Sequence, residues 1–159
     1  MATVRSHLWF GNDQAEEAAR FYAKHIPGSS VDRVLIAPEG GPGTPGAPFV
    51  VEFTVAGHPV TGLNAGPDFQ LTEAFSFYLL VDGQDEVDHY WDVLTADGGE
   101  PGQCGWLKDK YGLSWQIVPT VLLKMMQDKD PAKARRVTEA MMQMGKLDIA
   151  GLQRAYDGR

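Results

Sequence analysis

The sequence predicts an α+β fold: two similar strand–helix–strand modules, then a helical extension. Three observations carry this prediction. First, the chain repeats itself at a fixed offset of 69 residues, with Glu16-Glu17-Ala18-Ala19-Arg20-Phe21-Tyr22 matching Asp85-Glu86-Val87-Asp88-His89-Tyr90-Trp91. Upstream at the same offset, Leu8-Trp9-Phe10 meets Phe77-Tyr78-Leu79, and Asp13 meets Asp82. Second, each copy moves from an aromatic, apolar stretch to an amphipathic one, the signature of a strand feeding a helix. Third, the spacing from about Val121 onward is helical only.

In the first copy, Ser6 to Phe10 reads as a strand. A helix of roughly 10–12 residues follows, with Ala18, Phe21 and Tyr22 as its apolar stripe. Gly28 marks its exit. Strands are predicted at Val31 to Ala37, Phe49 to Ala56 and Pro59 to Asn64. The Gly/Pro-rich run from Glu39 to Pro48 cannot be helical and reads as a surface hairpin, or a lid over a pocket. The second copy begins with a strand at Ala74 to Val81. In its helix Val87, Tyr90, Trp91 and Leu94 form one face, and Gly98-Gly99 ends it. Strands at Gly102 to Lys108 and Leu113 to Val118 flank a turn at Asp109 to Gly112, with Lys108-Asp109-Lys110 read as exposed. Acids at both helix starts complement the dipole.

The modules span about residues 3–66 and 72–120, within a domain of residues 1–120. Residues 121–159 form the extension, packed on that domain or on a dimer partner. Asp130-Pro131 is a helix start, with Asp as N-cap and Pro in the first turn, and Asp148 caps a last helix through Tyr156. Ala134, Val137, Met141 and Met144 form a stripe. All five internal methionines fall in this tail.

A net charge of −7 disfavours a nucleic-acid partner, whose phosphates require a concentrated basic surface. No stretch approaches the roughly 18 apolar residues of a membrane span. The start MATVRSHLWFGND has no apolar core of a secretory signal. The single cysteine, Cys104, cannot form an intramolecular disulfide, which suits a reducing cytoplasm. These features lead us to expect a soluble cytoplasmic protein.

Strand alternation locates a candidate site. His7 and Trp9 share one face, and Ser76, Tyr78 and Leu80 match them in the second copy. Leu8, Phe10, Phe77, Leu79 and Val81 form the apolar face that meets the helices. Aligning the glycines that lead the last strands pairs Thr61 with Gln116; Ser114 shares the face of Gln116, and Trp115 packs under the helices. Cys104 and Trp106 share a face, which the sequence leaves open. The mixed face, aromatic with a few polar groups, has the composition of a small-molecule pocket.

This pattern resembles the vicinal oxygen chelate superfamily, the glyoxalase/bleomycin-resistance group. Within it the chain is similar to the PhnB-like branch, often labelled "3-demethylubiquinone-9 3-methyltransferase domain". The residues carrying the resemblance are Leu8-Trp9-Phe10, Ala15 to Tyr22, Asp85 to Trp91, and the run from Cys104 to Pro119. The resemblance implies paired βαβββ modules forming a U-shaped cleft, and a homodimer. It implies that metal-dependent members hold a divalent ion through four side chains, whose positions here are His7, Thr61, Ser76 and Gln116.

Only His7 is a standard ligand, and none of the four is a carboxylate, so no catalytic metal or other cofactor is expected. A metal, if held, would use His7, Gln116 and a shifted His58. A methyl donor has no recognisable fingerprint either: Gly40-Gly41-Pro42-Gly43 lies in a proline-broken loop, not at a strand–helix turn. The expected function is small-molecule binding by His7, Trp9, Thr61, Ser76, Tyr78, Cys104, Trp106, Ser114 and Gln116. The alternative is a lyase, transferase or oxygenase in which His7 is the base or a metal ligand.

Overall fold

Alternation along the first strand sets the packing of everything around it. Leu8 and Phe10 are buried, while His7 is exposed and Trp9 half-buried. In the computed structural model, which describes residues 1–159, this strand belongs to the first of two units, Met1–Leu71 and Thr72–Arg159. The first unit contains β1 (Ser6–Trp9), α1 (Ala15–His25), β2 (Ser30–Ile36), β3 (Pro48–Val55) and β4 (His58–Leu63). Its sheet has the order β1-β4-β3-β2, with β1 parallel to β4 and the other pairs antiparallel.

Helix α1 buries Ala15, Ala18, Ala19 and Tyr22. The stripe differs from the expected one: Ala18 and Tyr22 lie one turn apart over the sheet, and Phe21 is rotated to the half-buried margin. The alanines bring the helix close. A Cβ at Gly62 of β4 would stand 2.9 Å from the Ala15 Cβ, so a glycine is required there. Asn64 secures the helix start: its Oδ1 accepts the Ala15 N–H at 3.0 Å, and its Nδ2 donates to the Pro48 carbonyl at 3.0 Å. The Gly/Pro-rich run is an exposed hairpin joining β2 to β3, closed by backbone bonds between Ala37 and Ala47 and between Gly46 and Ala37.

The second unit repeats the plan with β5 (Ser76–Val81), α2 (Gly83–Thr95), β6 (Glu100–Pro101), β7 (Trp106–Lys108) and β8 (Ser114–Pro119), in the order β5-β8-β7-β6. Phe77, Leu107, Trp115 and Ile117 are buried on the face that meets Val87, Trp91 and Leu94. Both modules are therefore βαβββ. One strand differs from expectation: Gly102 to Gly105 is a turn, not the start of β7, and the two-residue β6 precedes it. Cys104 (φ 58°) and Gly105 (φ 82°) both have positive φ, and the Trp106 N–H closes the turn on the Gln103 carbonyl at 3.0 Å.

The extension packs on the second module as part of the same unit. It comprises α3 (Thr120–Met126), α4 (Pro131–Met141) and α5 (Ile149–Asp157). Asp130 and Asp148 cap α4 and α5, accepting from the Ala132 N–H and from the Ala150 and Gly151 N–H groups, as the sequence predicts. Val118, Leu122, Met125, Val137, Leu147 and Leu152 form its core. The tail is also strapped to the 102–105 turn, because the Cys104 and Gly105 N–H groups donate to the Met144 and Gly145 carbonyls at 2.7 and 2.8 Å. No helix is long and apolar enough to cross a membrane.

Candidate ligand-binding site

The second unit carries a row of three side chains across adjacent strands. Tyr78 pairs with Gln116 in the parallel β5–β8 ladder, and Gln116 pairs with Trp106 in the antiparallel β8–β7 ladder. Paired residues project to the same face, opposite the helices. The neighbouring row, Phe77, Trp115 and Leu107, points the other way and is buried under α2. Alternation thus commits Tyr78, Gln116 and Trp106 to the open face, and gives Trp106 the placement its sequence left undecided.

The tail turns part of this face into a groove of about 600 Å³. Tyr78, Trp106, Gln116 and Val118 line its sheet side and Gln103 and Cys104 its edge; Leu122, Leu123 and Met126 of α3, with Met141 at the end of α4 and Met142 just after it, line the other wall. The Gln116 Nε2 donates to the Ser76 Oγ at 3.0 Å, which fixes the carboxamide. The Cys104 thiol lies 3.6 Å from the Met142 sulfur. Which tail residues line the groove is what sequence reasoning missed. The methionine cluster was visible, but its position over the sheet depends on tertiary anchors that no local pattern reveals.

Ser114 lies one row further along, paired with Ser76 and with Lys108. It borders a separate cavity of about 140 Å³, with Glu73, Glu100 and Trp106. Its hydroxyl is buried without a hydrogen-bond partner. The Lys108 ammonium bonds the Glu73 carboxylate, which raises the lysine pKa and lowers that of the glutamate.

The corresponding face of the first unit has a different chemistry. Its row runs His7, Thr61, Glu52, Arg33 across β1, β4, β3 and β2. Arg33 clamps Glu52 through two bonds, Nε to Oε2 at 3.0 Å and Nη2 to Oε1 at 2.9 Å, and so holds the carboxyl below its ordinary pKa. Arg5 donates from Nε to the Thr61 Oγ1 at 3.2 Å. Glu52, Arg33 and Arg5 were also missed, although the polar residue between buried Val51 and Phe53 was a period-two signal for Glu52. His7 is exposed, and no hydrogen bond orients its ring.

Two registers correct the sequence reading. His7 pairs with Thr61, but Ser76 pairs with Ser114, so the counterpart of Thr61 is Ser114, not Gln116. The glycines that lead β4 and β8 are therefore not equivalent points in the two sheets. His58 does not join His7. Its Nε2 lies 2.8 Å from the Ser6 Oγ, and alternation sets both residues on the helix-facing side of their strands, away from His7 and Thr61.

A divalent cation fits this donor set poorly. Of the four family positions only His7 offers a strong ligand, and the nearby carboxylate, Glu52, is already neutralised by Arg33. Within neither unit do three His, Cys, Asp or Glu side chains come together as a metal-holding group.

The family model described as 3-demethylubiquinone-9 3-methyltransferase matches residues 2–118. Among solved structures, a PhnB protein from Bacillus cereus is 28% identical with a TM-score of 0.66, and the match covers 75% of this chain and 100% of that one. A protein from Pseudomonas aeruginosa is 17% identical with a TM-score of 0.58, covering 74% and 98%. The fosfomycin resistance protein FosX from Listeria monocytogenes shares the fold at 14% identity and a TM-score of 0.50, covering 75% and 93%. No curated protein matches the sequence.

Proposed function

Because the chain belongs to the 3-demethylubiquinone-9 3-methyltransferase family, a PhnB-like branch of the vicinal oxygen chelate superfamily, we propose that it binds a small molecule without a catalytic metal. The observation that carries this reading is the groove of about 600 Å³ in the second unit. Its volume falls within the range of small-molecule pockets, and its lining is aromatic and aliphatic with a few polar groups. In this reading Tyr78, Cys104, Trp106 and Gln116 contact the ligand, Ser76 holds Gln116, and Ser114 lies beside them. His7, Trp9 and Thr61 form the polar counterpart on the first unit. The protein acts as a cytoplasmic homodimer with no nucleic-acid or membrane partner.

The alternative is an enzyme of lyase, transferase or oxygenase type using His7. Its weakness is that nothing in the first unit orients the His7 ring, as a general base requires. The methyl transfer in the family's name has no donor fingerprint in this chain.

The test is a screen of aromatic small molecules by thermal shift and tryptophan fluorescence, with recovery of each bound compound for mass spectrometry. Binding that Trp106→Ala abolishes, with the compound recovered intact after long incubation, supports the reading. A chemically altered compound whose formation stops in His7→Ala would replace it with the enzyme reading.

A further inference from the structure

The groove carries no Asp, Glu, Lys, Arg or His among its lining residues. Its neighbourhood is otherwise rich in charge, with the Lys108–Glu73 pair bordering the adjoining cavity and the Lys146–Asp88 pair anchoring the tail. Those charges are paired with each other and none of them lines the groove; Lys108 shares the open sheet face of Trp106, one row away, where Glu73 neutralises it. An ion entering it would lose water and meet no counter-charge, a large penalty in an apolar setting. A neutral guest avoids that penalty.

The two walls differ in stiffness. The sheet wall sets Tyr78, Gln116 and Trp106 in one row on adjacent strands, which stand about 4.8 Å apart. The opposite wall is built of Met126, Met141, Met142 and leucines, unbranched thioethers that adapt to a guest and pack well on aromatic rings. An aromatic row facing an adaptable sulfur-rich wall suits a flat, polarisable ring system. One polar group on the sheet wall is fixed. Gln116 turns its Nε2 to Ser76 and spends one of its two N–H groups there, so the Oε1 at the other end of the carboxamide is the wholly unspent atom we assign to a guest, and it accepts. The Tyr78 hydroxyl and, at the edge, the Gln103 carboxamide can each serve as donor or acceptor and select neither.

The adaptable wall lies outside the part of the chain that the family model describes. The family model ends at residue 118, and the whole Bacillus cereus neighbour is matched by 75% of this chain. The residues of α3 and α4 that face Tyr78 and Trp106 lie beyond that model.

Building on the binding reading above, we propose that the groove selects an uncharged planar aromatic molecule bearing one O–H or N–H donor, directed at the Gln116 Oε1, and that the C-terminal helices set this selectivity. The guest sits between the Tyr78–Gln116–Trp106 row and the methionine wall.

The experiment uses the full chain at pH 7 and four isosteres: 2-naphthol, 2-methoxynaphthalene, 2-naphthoate and 2-naphthylmethylammonium, titrated by calorimetry. We expect 2-naphthol to bind tightest and both ions to bind at least about tenfold more weakly. The methoxy compound, which lacks the donor, should lose roughly three- to tenfold. Gln116→Leu should remove that naphthol-to-methoxy gap. Met142→Lys, at a half-exposed position on the adaptable wall, should restore 2-naphthoate and not the ammonium. An ion that binds as tightly as 2-naphthol overturns the selectivity and leaves the binding reading in place. Loss of binding for all four, with no effect of Trp106→Ala on the fluorescence titration, overturns both. Light scattering covers a further outcome: a dimer that Met142→Lys dissociates, with no naphthol bound by the resulting monomer, assigns the groove to a second copy and overturns the proposal.

Discussion

Trp115 donates its indole N–H to the Oδ2 of Asp109 at 2.9 Å, and both residues are buried. The other oxygen, Oδ1, accepts the Tyr111 and Leu113 N–H groups at 2.9 and 3.0 Å. One carboxylate thus joins the turn between β7 and β8 to the aromatic centre of the second unit, where Trp115 packs on Phe77 with ring centroids 5.0 Å apart. Removing the carboxylate leaves three donors without an acceptor in a place water does not reach. Asp109→Ala should cost on the order of 3 kcal/mol in urea unfolding. Asp109→Asn should cost about half as much, because its amide can still accept from the backbone but presents a donor to the indole. A loss below about 1 kcal/mol for the alanine variant would show that water or a rearranged turn replaces the carboxylate.

Ser114 presents the opposite case. Its hydroxyl is buried with no partner, so it contributes a desolvation penalty and no bond. Ser114→Ala should leave stability within about 0.5 kcal/mol of wild type or raise it. Ser76→Ala, by contrast, removes the acceptor of the Gln116 amide and should weaken any ligand that depends on Gln116 orientation. A Ser114→Ala variant that melts several degrees lower would contradict this account and point to an internal water bonded there.

Gln84 connects the second module to the tail. Its Nε2 donates to the Leu147 carbonyl at 3.1 Å and to the Asp88 Oδ1 at 3.0 Å, while its Oε1 accepts the Ile149 N–H at 2.9 Å. It holds the backbone just before α5 the way a neighbouring strand would. Gln84→Ala should cost about 1–2 kcal/mol. The loss should appear first in the tail, as faster amide exchange through α5 than through β5 or β8. Equal acceleration in all three elements would mean that the tail and sheet unfold as one.

The two βαβββ modules were legible because they rest on local patterns: period-two alternation at Leu8 and Phe10, period 3.6 at Val87, Trp91 and Leu94, and aspartate caps at Asp130 and Asp148. What escaped the sequence depends on contacts distant in the chain. Asp109 lies between two lysines and reads as a surface turn, yet its three bonds draw it inward to 2% exposure. Strand β6 has two residues, one of them proline, too short for any periodicity. The row Tyr78, Gln116, Trp106 requires the β5–β8–β7 order and register, and anchoring at the leading glycines misplaced that register by two residues. The face was therefore readable and its partners were not.

Acid should loosen the tail through one ion pair. Lys146 bonds the Asp88 carboxylate at 2.8 Å, and that bond, followed by the one from Gln84, holds the Asp88 pKa below its ordinary value. A carboxyl whose folded pKa is depressed contributes stability that is present above its unfolded pKa, about 4 for an aspartate, and is lost as pH falls through the depressed folded value. Lys146 is shifted upward, chiefly by the same bond, so its contribution is complete below its unfolded pKa and is lost only as pH rises through the raised one, in strong alkali. Across neutral pH the pair is therefore intact. Both side chains are partly exposed, so the effect is modest and screened by salt. Asp88→Asn removes the titrating group, so its melting temperature should lie below wild type at pH 7. The gap should close as pH falls from 5 to 3, and shrink at pH 7 in 1 M salt. A gap that stays constant down to pH 3 would assign the role of Asp88 to its neutral hydrogen bond with Gln84 and not to its charge.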